Sequence, residues 1–140
     1  MKALTVQNPW ATMIWAGEKT VEWRSWKTAY RGDILITSSA KRVRGCVCGY
    51  ALCVARLVDV VPFERKHIKP ACLDGMPDPI GYAWILDNIR MIQPVAVKGK
   101  LNLWNCDDIP LDFWPMDCTE AEAEKLLKEK YDPLIYAPKH

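Results

Sequence analysis

The chain has 140 residues, half of them hydrophobic, with 19 Lys and Arg against 17 Asp and Glu for a net charge of +2. That size suits one domain spanning residues 1–140, able to bury a substantial core without crosslinks, and makes a two-domain arrangement a poor fit. Met1-Lys-Ala-Leu-Thr-Val6 lacks the apolar stretch of a secretion signal, and the longest apolar run, Cys46 to Val61, is interrupted by Arg56 and Asp59. A bilayer span needs roughly 18 apolar residues, so a cytoplasmic protein without membrane association is expected.

In chain order, Ala3 to Val6 reads as a short strand, and Asn8-Pro9 as a helix start in which Asn caps and Pro fits the first turn. Trp10, Met13 and Ile14 share the buried face of the short helix that follows, and Gly17 ends it in a left-handed conformation. Thr20 to Arg24 alternates as a strand, with Thr20, Glu22 and Arg24 on one face and Val21 and Trp23 on the other. Asp33 to Thr37 is a further strand. Gly45 to Val61 reads as one long central strand with a bulge at Gly49. The proline-rich stretch from Phe63 to Gly81 is expected to cross the surface as an irregular loop or short helical turn beside a site.

Strand character resumes at Tyr82 to Leu86 and at Ile89 to Val97, separated by a turn at Asp87-Asn88, and Leu101 to Trp104 supplies a last or edge strand. After a turn-rich stretch, Thr119-Glu-Ala-Glu122 carries a capping-box pattern for a terminal helix over about 119–130, with Ala123, Leu126 and Leu127 as its buried stripe. Its charged face and the tail from Tyr131 to His140 are open to a protein partner.

Charge is unevenly distributed along the chain. Residues 1–66 carry +6 and residues 67–140 carry −4, and Arg24, Lys27, Arg31, Lys41, Arg42 and Arg44 fall close together, where they would attract phosphate or simply form a solvated basic surface. Six cysteines without a secretory context read as reduced packing residues. Cys46-Val-Cys48 puts two thiols on one strand face, but no further Cys or His completes a zinc set, so neither metal nor other cofactor is expected.

Gln7-Asn-Pro-Trp-Ala11, Gly17-x-Lys-Thr-x-Glu-x-Arg24, Ser25-Trp-Lys27, Arg31-Gly32 and the hydrophobic run ending in Ser38-Ser39 resemble the ASCH domain, a family named for activating signal cointegrator-1 homology. Gly81-Tyr-Ala-Trp-Ile-Leu86, Pro94-Val-Ala-Val-Lys-Gly99 and Leu103-Trp104 extend the resemblance over about residues 2–105. It implies an α+β fold: a PUA-like β-barrel of five or six strands with a short N-terminal helix and a C-terminal helix. The early helix and the segment after it would wall a cleft. It further implies a partner among RNA, nucleotides and modified nucleosides. Some members of the family are amidohydrolases acting on acetylated cytidine, others are associated with ribonuclease activity, and others are binding modules; the fold itself does not choose among these.

Lys19 can offer its ammonium to a phosphate or carbonyl, or act as a base if burial lowers its pKa. Glu22 can accept from a base amino group and Arg24 can donate to phosphate or carbonyl oxygens, or the two can pair structurally. Thr20 would orient the turn and Ser38 would bond a ligand at the end of the next strand. Trp26 and Tyr82 are the stacking candidates, whereas Trp10 and Trp23 are assigned to packing. Arg42 and Arg44 would meet phosphate. For catalysis, Lys19 matches the lysine of the amidohydrolase branch, but that branch's threonine falls at Glu22, which points to base-activated water; Glu64, Asp74 and Asp78 are the options for its later acid. A protein-interaction role through the terminal helix is the remaining alternative.

Overall fold

The computed structural model describes residues 1–107 and 109–138; Asp108 and the last two residues of the expected tail, Lys139 and His140, lie outside it. Six strands form a single sheet: β1 (Lys2–Val6), β2 (Val21–Arg24), β3 (Gly32–Ser38), β4 (Tyr50–Pro62), β5 (Tyr82–Ala96) and β6 (Leu103–Asn105). Their order is β2-β5-β4-β3-β1-β6. Every neighbouring pair is antiparallel except β1 and β3, which run parallel because helix α1 (Trp10–Trp15) and β2 intervene between them in the chain.

The expected barrel is a curled half-barrel. The long β4 shifts register against β5 at three places, Ala51/Cys53, Val54/Arg56 and Leu57/Asp59, and each shift bends and twists the ribbon. β2 and β6 remain the two edges. The main core, with Leu4, Val6, Ile34, Ile36, Leu52, Trp84 and Leu86, fills one face of the sheet and is roofed by Ala11, Ile14 and Trp15 of α1. A smaller cluster of Ala3, Leu35, Ala51, Val54 and Ile92 packs under Met1, Val97 and Trp104. β4 is therefore buried without interruption from Ala51 to Ala55.

Three expectations need correction. The strand read from Gly45 starts only at Tyr50, because Gly45 and Gly49 both adopt positive φ, +83° and +79°, and break the extended run. The two strands read on either side of Asp87-Asn88 are one strand, β5. Asn88 takes the left-handed conformation (φ +47°) within it, which Asn tolerates, so the chain continues along β4 instead of turning back. On α1 the buried stripe is Ala11, Ile14 and Trp15; Trp10 and Met13 are half-buried.

At the C-terminal end, the Thr119 hydroxyl accepts the Glu122 amide at 3.2 Å to start helix α2 (Glu120–Leu126), as its sequence suggests. The helix widens through Leu127–Tyr131 and docks, with Tyr131 stacked on Trp15 at 4.2 Å and Trp114 edge-on to the same indole at 6.0 Å. Beyond it, the amide of Tyr136 donates to the Cys46 carbonyl and that of Gly45 to Tyr136, tying the end of the described chain to the segment before β4.

Candidate functional site

The segment after α1 is turned inward by backbone geometry. Gly17, at φ +81°, closes the helix, and the amides of Glu18 and Lys19 both donate to the Met13 carbonyl, which wraps the chain around the helix end. The amides of Thr20 and Val21 then donate to the Pro70 carbonyl, and the Thr20 carbonyl accepts the Leu86 amide. Lys19 is thereby carried into the interior, where its side chain is 1% exposed. Thr20 itself points to solvent.

Inside, three charged side chains share one cluster. The Lys19 ammonium donates to the carbonyl of Ala71 and stands 3.5 Å from Glu22 Oε1. Arg24 Nη2 donates to Glu22 Oε2 at 2.9 Å and to the Thr5 carbonyl at 2.8 Å, so the guanidinium bridges from the edge strand β2 to β1. Strand alternation, read correctly from the sequence, puts Glu22 and Arg24 on the same face. Glu22 pairs across the ladder with Trp84 and Arg24 with Tyr82. Burial pushes the Lys19 pKa down, opposed by the neighbouring Glu22 carboxylate. The cluster holds two cations around one carboxylate, and Arg24 keeps a buried Nε–H without an acceptor among the described residues.

This cluster lines a cleft of about 770 Å³, within the roughly 300–1,000 Å³ usual for ligand sites. Thr5, Val6, Gln7 and Trp10 form one wall, Ser39 and Ala40 border it after β3, and Leu73 comes from the proline-rich loop. The loop of residues 98–102 between β5 and β6 completes the lining. Its charged side chains are Lys19, Arg24, Lys98 and Lys100 against the single carboxylate of Glu22.

Of the residues singled out from sequence, Lys19, Glu22 and Arg24 converge on the cleft. Ser38 lies beside it but is occupied: its hydroxyl accepts the Tyr50 amide at 3.1 Å and donates to the Tyr50 carbonyl at 3.2 Å, joining β3 to β4. Trp26 packs edge-on against Trp84 at 4.8 Å and accepts its indole N–H through the backbone carbonyl, and Tyr82 is half-buried against the core; neither lines the cleft. Arg42 lies over the Tyr136 ring at 5.2 Å, and Arg44 is exposed on the same loop. Glu64 is exposed and pairs with Lys66, and Asp74 and Asp78 are exposed; none of the three lines the cleft.

The aromatic residues that do line the cleft are Trp10 and Trp23, both of which the sequence reading assigns to packing. The loop carrying Lys98 and Lys100 was not singled out for a site, since nothing in its local pattern tells that it meets residues more than ninety positions earlier. The signal for Trp10 was available: a Trp one residue after the Asn-Pro start, off the Ala11/Ile14/Trp15 stripe. Among the described residues no cluster of His, Cys, Asp and Glu is arranged to hold a metal, and no helix is long and apolar enough to cross a membrane.

Residues 4–96 match the family model of the ASCH domain. The chain is 46% identical over 127 residues to activating signal cointegrator 1 of Homo sapiens, a match covering 74% of this chain and 22% of the human protein, so it corresponds to a fraction of that relative's length. Among solved structures it is similar to ASCH from Zymomonas mobilis, with a TM-score of 0.58 at 18% identity, covering 91% of this chain and 94% of the other. A single-substitution variant of that bacterial protein matches with a TM-score of 0.56 at 16% identity over 91% of this chain and 96% of the other. These likenesses support the fold; the family-model match, spanning most of the sheet and the whole Gly17 to Arg24 segment, shows that this chain belongs to the ASCH domain family.

Proposed function

We propose that the chain binds single-stranded RNA, or the nucleotide that is its unit, by seating a base in the cleft between Trp10 and the Lys19–Glu22–Arg24 cluster. The observation that carries this reading is the composition of that one cavity: an indole on one wall and, facing the same space, four cations around a single carboxylate. The indole offers a surface on which any base can stack. Glu22 offers carboxylate oxygens to a base amino group. Arg24 uses only Nη2 on Thr5 and Glu22, which leaves Nη1 for a carbonyl or phosphate oxygen. The excess of positive charge favours an anionic ligand over a neutral one.

The test is binding of a fluorescent eight-nucleotide RNA to purified protein at low salt, with Arg24→Gln and Arg24→Lys as variants. Arg24→Gln is expected to weaken binding at least tenfold, and Arg24→Lys to recover little of it, because an ammonium does not reproduce the fork of the guanidinium. Wild-type affinity in both folded variants would refute this placement of the ligand.

A second reading is favoured by the lowered pKa of Lys19 beside Glu22 in the same cavity. A ligand amide there would be hydrolysed if one of these groups took a proton from water, the resulting hydroxide attacked the carbonyl, and the amine left with a proton returned to it. Acetylated cytidine incubated with concentrated enzyme should then yield acetate and cytidine, with the rate lost in Lys19→Met. Absence of product leaves binding as the function.

A further inference from the structure

The cleft's two remaining cations belong to neither the buried cluster nor the basic stretch near Arg42. Lys98 and Lys100 stand on the loop between β5 and β6, both exposed, and among the described residues neither is within salt-bridge distance of a carboxylate. The loop is nonetheless firmly placed. At its start the Val97 amide donates to the Gly49 carbonyl at 3.0 Å, and at its end Leu103 enters the sheet opposite Leu4. Between these anchors Gly99 lies flat on Thr5: a Cβ there would come within 2.6 Å of Thr5 Oγ1 and 2.7 Å of its methyl. Thr5 Oγ1 is held in turn by the Trp104 indole N–H at 3.2 Å and the Thr37 hydroxyl at 3.0 Å. Lys100 Nζ lies 5.7 Å from the centre of the Trp104 ring, a cation–π distance.

Thr5 thus touches both halves of the site. Its carbonyl accepts from Arg24, and its side chain is the seat of Gly99. The absence of a Cβ at Gly99 lets the backbone approach β1 closely enough for the flanking lysines to border the same cavity as the Arg24 guanidinium.

Resting on the reading of the cleft given above, we infer that the loop of residues 97–102 is a phosphate-gripping lip, with Lys98 and Lys100 contacting the sugar-phosphate backbone of the strand whose base enters the cleft. Lysines suit this task as mobile point charges that hold phosphate without demanding one geometry, whereas the buried cluster provides fixed donors for the base. The division makes the lip the source of salt-dependent affinity and the cluster the source of selectivity.

The experiment compares wild type, the double variant Lys98→Gln/Lys100→Gln, Gly99→Ala, and Lys125→Gln on α2 as a charge-matched control for a single lysine. Affinity for the eight-nucleotide RNA is measured across a salt series, and thermal unfolding confirms that each variant is folded. Each phosphate contact to a single strand contributes about 0.7 to the slope of log affinity against log salt. The double variant should therefore lose about 1.4 from that slope and bind several-fold more weakly at low salt. Gly99→Ala should lose part of the slope with no change in charge, and Lys125→Gln should match wild type. An unaltered slope in the double variant overturns the inference, as does an equal drop per lysine in Lys125→Gln, which would mean a diffuse field and no lip. Wild type that fails to bind RNA at low salt would instead bring down the reading of the cleft, and the lip with it.

Discussion

The cleft and the aromatic cluster sit at opposite ends of α1, five residues apart in sequence, and are held together by different forces. At the start of the helix Trp10 borders a cavity whose far wall is the buried Lys19 and Glu22 with the half-buried Arg24, linked to one another and to the carbonyls of Ala71 and Thr5. At its end Trp15 is buried between Tyr131 and Trp114, with the C-terminal helix laid over it. One region is maintained by apolar area and ring packing, which respond little to salt or pH. The other is maintained by ion pairs in a poorly solvated pocket, where removing one partner leaves the rest uncompensated. A helix of six residues is enough to serve both because its two indoles lie on different sides of it.

The contrast is broken or sharpened by a graded series of substitutions. Trp15→Ala should have the largest effect, lowering unfolding free energy in urea by about 3–5 kcal/mol while leaving the RNA affinity of the folded fraction unchanged. A cost below about 1 kcal/mol would show that the C-terminal segment does not depend on this ring.

Glu22→Gln comes next, at about 3 kcal/mol, because it strands Lys19 and Arg24 without their carboxylate. The same cluster gives a pH signature. The folded Lys19 pKa lies below its ordinary 10.5, so between the two values the unfolded chain binds more protons and the contribution of Lys19 to stability rises with pH. The stability of wild type minus that of Lys19→Met should climb through that window; a flat difference would mean that burial does not disfavour the ammonium.

Trp10→Ala should cost RNA affinity by about 1–3 kcal/mol, measured as a fall in binding of the labelled strand, and cost less stability than Trp15→Ala. Equal loss of stability at both positions would erase the distinction between the two ends of the helix. At the bottom of the scale, the bidentate pair of Arg56 with Asp87, at 2.8 and 2.6 Å across β4 and β5, is solvent-exposed, and replacing either residue by Ala should leave the unfolding midpoint within experimental error at physiological salt.

Much of this architecture was legible where a local rule decides the structure. Gly17 had to end α1, the alternation from Val21 to Arg24 had to put Glu22 and Arg24 together, and Thr119 had to start α2; each depends on neighbours within a few residues. The errors fall where distant contacts decide. Asn88 reads as a turn in isolation, but pairing with β4 on both sides keeps the strand going through it. Ser38 and Trp26 are polar and aromatic residues near the right place, but their partners, Tyr50 and Trp84, come from later strands and occupy them. Lys98 and Lys100 acquire their place through the contact of Gly99 with Thr5, between the loop leading into β6 and its neighbour β1, a pairing of residues far apart in the chain that no window of sequence contains.

The imbalance of the buried cluster, two cations to one carboxylate, has a consequence for the folding equilibrium. A ligand whose acceptor atoms met this cluster would offset the missing charge in the native state and would have no comparable place in the unfolded chain, so occupancy and folding would be thermodynamically coupled. At a ligand concentration one hundred times its dissociation constant the native state gains about 2.7 kcal/mol. A thermal-shift screen of nucleotides and short oligonucleotides should therefore rank ligands by melting temperature alone, with the domain acting as its own gauge of what it was built to hold.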